Sequence, residues 1–162
     1  MISEKMTKAL NNQIKEELFS SYLYLSMAAS FEAQNWQGFA NWMKKQSFEE
    51  YGHAMKIFDY LNGVGKKVVL EQLDKPKSDW NSPLEAFEDA LKHEIHITNK
   101  INELAKLAED EKDFATANFL QWFVTEQIEE VASATAIVEK LKFIGDQKSG
   151  LLFLDNELGK RQ

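Results

Sequence analysis

Long stretches without helix-breaking residues are the feature of this sequence that most limits how it can fold. The 162 residues include only 7 Gly and 2 Pro, whereas average usage would give about 19 of the two together. Helices can therefore continue for many turns before a residue interrupts them. The sequence predicts an all-α fold.

The few breakers divide the chain into four long segments and a short tail. Ser3 is an expected N-cap, Ser82 opens a capping box with Pro at the first helical position, and Gly145 ends the fourth segment. We expect helices over about residues 4–34, 37–62, 83–110 and 114–144, and a short one over about 148–159. The chain is predicted to form a single domain, with a bundle in residues 1–145 and a C-terminal helix in 146–162.

The four long segments have similar lengths, about 40–48 Å as helices at 1.5 Å per residue. Similar helices joined by short links are typical of a four-helix bundle. The middle connection, Val64 to Asn81, has no helical period, and extended it would reach about 60 Å. It can therefore cross the whole bundle and make the third helix parallel to the second. The predicted fold is a four-helix bundle with a long crossover between helices two and three and a short C-terminal fifth helix.

Each long helix carries an inward stripe that is apolar at both ends and polar near its centre. Because each polar position lies close to the middle of its helix, the four sets should meet at one level of the bundle. The side chains that converge there are Glu17, Glu50, His53, Glu94, Gln127 and Glu130.

Four carboxylates at one level of an apolar core cannot all remain ionised without compensation. Two divalent cations would balance them, and oxygen-rich ligation with one imidazole suits iron(II) or manganese. A single inward Glu more often reaches for solvent, and a single inward His is more often an ordinary core residue. The coincidence on all four helices favours a metal site over these structural explanations.

The roles of several side chains near this level have two interpretations. Tyr24 and Trp122 are either core aromatics or redox neighbours of the metal. The acidic residues beside the site are either solvated charges or ligands of a further cation shared with Glu130; they are Glu49, Glu126 and Glu129. His93 and His96 flank a site residue but point off its stripe, so we expect them on the surface.

Composition excludes several classes of function. The chain has no Cys, which excludes disulfides, zinc ribbons and thiolate iron–sulfur sites. A net charge of −7 argues against a nucleic-acid partner and permits cation binding. The first residues lack the apolar core of a signal peptide, and apolar runs stay below about 18 residues. We therefore expect a cytoplasmic protein without membrane contact.

Three motifs resemble those of the non-haem bacterial and archaeal ferritins, and the resemblance extends along the whole chain. The motifs are Ala40-Asn41-Trp42-Met43-Lys44, Glu49-Glu50-Tyr51-Gly52-His53-Ala54 and Glu126-Gln127-Ile128-Glu129-Glu130. Ferritins of this kind assemble into hollow shells of about 24 subunits, oxidise iron(II) with O2 or H2O2, and store a ferric mineral. The resemblance thus implies a ferroxidase that stores and detoxifies iron.

The resemblance also implies roles for individual residues. Glu17, Glu50 and His53 would hold the first of two irons per subunit, with Glu50 bridging. Glu94 and Glu130 would hold the second iron, with Gln127 beside it. Four carboxylates match a possible third iron site, namely Glu49, Glu126, Glu129 and Glu130. Tyr24 and Trp122 match the aromatic residues next to the centre.

The sequence departs from related ferritins at two places. Haem-binding bacterioferritins carry Met after the bridging Glu, and Tyr51 stands there, so no haem is expected. The acidic pair at the iron entry of animal ferritins would fall at Ala117 and Leu120. The sequence therefore assigns no entry route for iron at these positions. Two alternatives remain at this stage: a di-iron carboxylate oxidase or peroxidase without mineral storage, and a purely structural bundle.

Overall fold

Five α-helices account for most of the computed structural model, which describes residues 2–162. They are α1 (Glu4–Ala33), α2 (Gln37–Gly63), α3 (Pro83–Asp110), α4 (Phe114–Ile144) and α5 (Lys148–Leu158). The predicted ends agree with these bounds to within one residue. The all-α, five-helix prediction is confirmed. None of the helices in residues 2–162 combines the length and apolarity that crossing a membrane would require.

The predicted caps are formed by the expected residues. The hydroxyls of Ser3 and Ser82 each accept a hydrogen bond from the main-chain N–H three residues later. The Glu85 carboxylate accepts from the N–H of Asn81, the residue before the cap, at 2.7 Å, whereas in a standard capping box it would accept from the cap residue itself. Gly145 ends α4 with φ of +61°, a value that favours glycine.

Ion pairs at both ends show that α1 and α2 are antiparallel. Glu4, at the start of α1, pairs at 2.7 Å with Lys66, which follows the end of α2. Glu32, near the end of α1, pairs at 2.6 Å with Lys44 in the first half of α2. The short turn between the helices therefore makes a hairpin.

Helices α1 and α3 are antiparallel as well. The Ser3 hydroxyl donates to a carboxylate oxygen of Glu111 at 2.7 Å, and Ser20 Oγ lies 2.6 Å from His93 Nε2. Since α2 and α3 both run against α1, they are parallel to each other. The connection over residues 64–82 must consequently cross the length of the bundle, and the predicted crossover is present.

The crossover lies along α1 and is fixed to it at two levels. The Asn11 amide donates to the carbonyl oxygen of Lys67 at 3.1 Å and accepts from the N–H of Val69 at 2.8 Å. Further along, the Ser26 hydroxyl donates to the carbonyl oxygen of Lys77 at 2.6 Å. These bonds satisfy main-chain groups that the irregular segment cannot pair internally.

The apolar core is divided into two clusters by a polar layer. One cluster includes Met6, Leu10, Ile57 and Phe123, and the other includes Met27, Phe31, Phe39 and Phe87. The layer between them contains buried carboxylates from all four long helices. The predicted pattern of apolar ends and a polar centre is thus observed.

Helix α5 packs against the start of α2 and the end of α4. Leu154 is buried there, and a carboxylate oxygen of Asp155 accepts from the N–H of Phe39 at 2.9 Å. Helix α5 therefore folds back onto its own bundle at Leu154, whereas Leu152 and Phe153 remain exposed.

Replacing Gly38 with Ala is expected to loosen α5. A Cβ at this position would lie 1.7 Å from the carbonyl oxygen of Asp155, so the two helices would have to separate. Hydrogen exchange of the amides in residues 148–161 should become faster. Gly52→Ala is the matched control, since a Cβ there meets no atom within 4 Å. Unchanged exchange in Gly38→Ala would contradict the proposed close packing.

Candidate metal centre

The polar layer brings together every side chain that the sequence places at the centre of the bundle. Helix α1 contributes Glu17, α2 contributes Glu50 and His53, α3 contributes Glu94, and α4 contributes Gln127 and Glu130. All six are buried, with exposed fractions of 7% or less. Apolar clusters on both sides of the layer keep these groups from bulk water, so their charges must be balanced locally.

Glu17, Glu50 and His53 form one possible ligand group. Each offers an atom, and the three atoms lie within 4.8 Å of one another. His53 Nδ1 is 3.2 Å from Glu50 Oε2 and 3.9 Å from Glu17 Oε2. Gln13 donates to Glu17 Oε1 at 2.9 Å, whereas Glu17 Oε2 is buried without a hydrogen-bond partner. Such an orphaned carboxylate oxygen is costly unless it binds a cation.

Glu50, Glu94 and Glu130 form a second group within the same distance limit. The Gln46 amide donates to Glu50 Oε1 at 2.9 Å and to Glu130 Oε2 at 2.6 Å. Because Glu50 belongs to both groups, its carboxylate is shared by two adjacent sets of potential ligands. The first group contains one nitrogen ligand and the second contains oxygen ligands alone.

Two further side chains orient Glu94. The Tyr24 hydroxyl donates to Glu94 Oε1, and the Gln127 amide donates to Glu94 Oε2 at 3.2 Å. The same amide nitrogen is 3.2 Å from Thr98 Oγ1. Burial and the neighbouring Glu94 charge raise the pKa of Tyr24, so the phenol keeps its proton and remains a donor.

The crowded carboxylates hold protons more tightly than free ones. Burial raises the pKa of Glu17, Glu50 and Glu94, and repulsion from neighbouring carboxylates adds to the effect at Glu17 and Glu50. Burial and the Glu94 charge raise the pKa of Glu130 to about 7. Cations bound in the layer would supply the charge that these protons otherwise provide.

The donor set fits iron(II) or another hard to borderline divalent cation. Carboxylate oxygens predominate, one imidazole is present, and the orphaned oxygen of Glu17 faces the layer's first ligand group. Ions of this class prefer oxygen and imidazole to thiolate ligands. The geometry therefore suits two cations side by side, one of them with a histidine ligand.

The additional acidic residues line a cavity of about 390 Å³ beside this layer. Its wall includes Glu49, Glu126, Glu129 and Glu130, together with Gln46. Glu126 also approaches the centre, because it forms a group of ligand atoms within 4.8 Å with His53 and Glu130. Among residues 2–162, Glu49 and Glu129 take part in no such group.

Sequence reasoning assigned no role to Gln13 and Gln46, although both hold site carboxylates. Each precedes its partner by four residues in the same helix, Gln13 before Glu17 and Gln46 before Glu50. Side chains at this spacing are neighbours on a helix surface. An i, i+4 search from each inward Glu would have found both.

The histidines flanking Glu94 differ from each other. His96 is exposed and pairs with Glu16 at 3.1 Å, as expected for the surface. The surface prediction for His93 was wrong: this ring is half-buried between α1 and α3 and bonds to Ser20. Burial lowers the pKa of His93 to about 4, so the ring is neutral near pH 7.

Trp122 lies at the edge of the centre, in contact with solvent. Its ring centroid is 5.4 Å from that of His53, and the two rings are nearly perpendicular. Lys56 Nζ lies 4.3 Å from the centroid of the indole ring, which is a cation–π arrangement. The indole thus covers one side of the His53 ring.

Known proteins are similar to this chain in sequence and in fold. Residues 7–144 match the ferritin family, described as a ferritin-like domain. Bacterial non-heme ferritins from Bacteroides fragilis and Staphylococcus epidermidis are 47% and 37% identical, over 99% of this chain and 100% and 97% of theirs. An open pore ferritin from the archaeon Archaeoglobus fulgidus is 55% identical, with a TM-score of 0.99 over 100% of both chains. The chain belongs to the ferritin family.

Proposed function

We propose that this chain binds iron(II), oxidises it with O2 or H2O2, and stores the ferric product as a mineral. The observation that carries the proposal is the buried layer of four carboxylates and one histidine, in which one oxygen of Glu17 has no hydrogen-bond partner. The relatives named bacterial non-heme ferritin support the same function. Iron is the substrate and cargo of this reaction.

Each ligand group would hold one iron ion. Glu17, Glu50 and His53 would bind the first, and Glu50, Glu94 and Glu130 the second, so that both ions contact Glu50. Two iron(II) ions held side by side can together donate two electrons to one oxidant molecule. The surrounding carboxylates stabilise the higher charge of iron(III) and thereby favour its formation.

The remaining residues of the centre act on these ligands. Gln127 and Tyr24 hold the Glu94 carboxylate from two sides. Tyr24 is also the closest candidate to supply an electron, since its hydroxyl bonds directly to an iron ligand. Tyr51, which follows Glu50, is exposed and offers no thioether to a haem iron. The proposed function therefore involves no haem.

Storage is favoured over a permanent di-iron cofactor by the unequal ligand groups. Enzymes of this bundle type commonly supply Glu-x-x-His from two helices. Here the corresponding position of α4 offers Gln127 and Glu130, and the second group lacks a nitrogen ligand. An iron ion held by oxygen ligands alone should leave more easily, as an ion in transit must. A di-iron oxidase or peroxidase without storage is the alternative.

The acidic cavity is the proposed third iron position. Glu126 and Glu130 approach His53, and Glu49 and Glu129 lie on the same wall. Glu130 belongs to both the second group and the cavity, so an ion can pass between them without leaving carboxylate ligands. We propose that iron moves along this acidic path. Leu120 is fully buried and cannot line an entry route open to solvent.

Further copies of the chain are the proposed partners. Large apolar side chains remain exposed near both ends of α4, with exposed fractions of 81% for Phe114 and 95% for Phe143. Phe143 and Phe153 line an apolar cavity of about 600 Å³ beside α5. Surfaces of this kind mark interfaces, and closed symmetry would turn repeated contacts into a hollow shell of about 24 subunits.

An aerobic iron(II) titration of metal-free protein tests the proposed function. Iron that stays in solution is counted per chain after each addition. Uptake should continue far beyond about two or three ions per chain, the capacity of discrete metal positions. Saturation near that ratio would contradict storage and favour the di-iron enzyme. A free energy of unfolding that is the same with and without iron would favour a structural bundle.

A further inference from the structure

An arginine from the end of the chain lies in the acidic cavity. Arg161 Nη2 is 2.8 Å from Glu49 Oε2, and Arg161 Nη1 donates to the carbonyl oxygen of Trp42 at 3.2 Å. The guanidinium carbon is 4.6 Å from the centroid of the Trp42 ring. The side chain is only 21% exposed. This is a guanidinium held by three contacts, unlike a mobile surface charge.

The main chain of the tail is fixed on α2, which sets the position of Arg161. The Asn41 amide donates to the carbonyl oxygens of Gly159 at 3.2 Å and Arg161 at 3.0 Å. Just upstream, α5 is joined to the start of α2 through Asp155 and Phe39. The guanidinium therefore reaches the cavity because α5 and the tail dock there.

Charge in the cavity is unevenly distributed. Four carboxylates line it, those of Glu49, Glu126, Glu129 and Glu130, and Arg161 is the cation on the same wall. Its ion pair engages Oε2 of Glu49. A cation entering the cavity meets both a positive charge and a carboxylate that is already engaged.

We propose that Arg161 is a tethered counter-ion of the third iron position. This inference rests on the proposed function and adds that Arg161 regulates iron binding at one position. To bind Glu49 through Oε2, an iron ion must displace the guanidinium from that oxygen. Arg161 thus weakens iron binding at the third position, and it returns to Glu49 when the ion leaves.

The test compares two variants that remove the same charge from the same tail. Arg161→Gln removes the cation that faces the cavity. Lys160→Gln removes its neighbour, whose Nζ is 2.8 Å from a carboxylate oxygen of Glu157 and whose side chain is 65% exposed. Both changes keep the bonds from Asn41 to the main chain of the tail and the bond between Asp155 and Phe39. Only Arg161→Gln also removes the contacts with Trp42 and Glu49. A difference between the variants therefore reports the loss of the guanidinium from the cavity.

Crystals of wild type and both variants are soaked with graded iron(II) under nitrogen. Anomalous scattering at the iron edge then gives the occupancy of each position separately. In Arg161→Gln, half-occupancy of the third position should require about two- to fivefold less iron(II), as expected for a partly exposed ion pair. Lys160→Gln should match wild type. In wild type, Arg161 should leave Glu49 wherever the third position is filled.

The outcomes separate this inference from the function on which it rests. Equal or lower third-position occupancy in Arg161→Gln would overturn the counter-ion role, as would an intact Arg161–Glu49 bond beside a bound third iron. In either case, iron in the first two positions would leave the proposed function standing. Empty first and second positions in wild type would overturn the proposed function, and the inference with it.

Discussion

Replacing Glu17 with Gln is expected to lower the initial rate of iron(II) oxidation by about 100-fold. The side chain keeps its shape but loses the charge of its unpaired buried oxygen, and a neutral amide is a poor iron ligand. With the first group reduced to Glu50 and His53, two ions can no longer be held together. Stopped-flow absorbance after mixing metal-free protein with iron(II) and O2 measures the rate.

The adjacent residue supplies the control for this experiment. Glu16 is half-buried, pairs with His96 outside the polar layer, and belongs to neither ligand group. Glu16→Gln should therefore oxidise iron at the wild-type rate, and both variants should elute with the wild-type assembly size. Equal rates in Glu17→Gln and wild type would refute the assignment of Glu17 as a ligand.

Metal-free protein is expected to become less stable as the pH rises from 6.5 to 8. The folded state keeps protons on carboxylates that are already ionised in the unfolded chain, so unfolding releases protons and stability falls with pH. The pKa of about 7 at Glu130 alone corresponds to about 1 kcal/mol between pH 6.5 and 8. Thermal unfolding of chelator-treated protein at several pH values measures the trend.

Below pH 6.5, His93 acts in the opposite direction. Its lowered pKa means that the unfolded chain takes up a proton there that the folded state does not, so stability falls on acidification. The loss of stability caused by the buried carboxylates is therefore tested between pH 6.5 and 8. Manganese(II) in excess should flatten the curve, because bound cations replace the retained protons. A metal-free Tm that is constant or rises over this range would contradict the expected crowding of carboxylates.

The helices and the polar layer could be predicted because their signals are local. The helix ends are marked by caps such as Ser82 and by Gly145. The polar layer is marked because Glu17, Glu50 and Glu94 each lie on the inward stripe of their own helix. Arg161 gave no such signal, since its role depends on where α5 docks. That docking depends on the close approach at Gly38, which a single sequence does not encode as a periodic pattern.

The histidine at position 93 illustrates the same limit. Its position beside the inward stripe places it at the edge of the α3 face, where a small rotation of the helix decides between burial and exposure. The structure turns it toward Ser20 of α1, whereas His96, one turn later, faces solvent. Spacing alone defines the centre of a helix face more reliably than its borders.

The crossover has a consequence for the order in which the chain can fold. It separates two helical hairpins, α1–α2 and α3–α4, each joined by a short turn, whose contacts are local in sequence and should form early. Glu17, Glu50 and His53 all belong to the first hairpin, whereas the second ligand group is complete only after the hairpins associate. A metal ion bound to the first hairpin would offset the repulsion between the carboxylates of that hairpin and those of Glu94 and Glu130. Iron present during refolding should therefore accelerate the late association step.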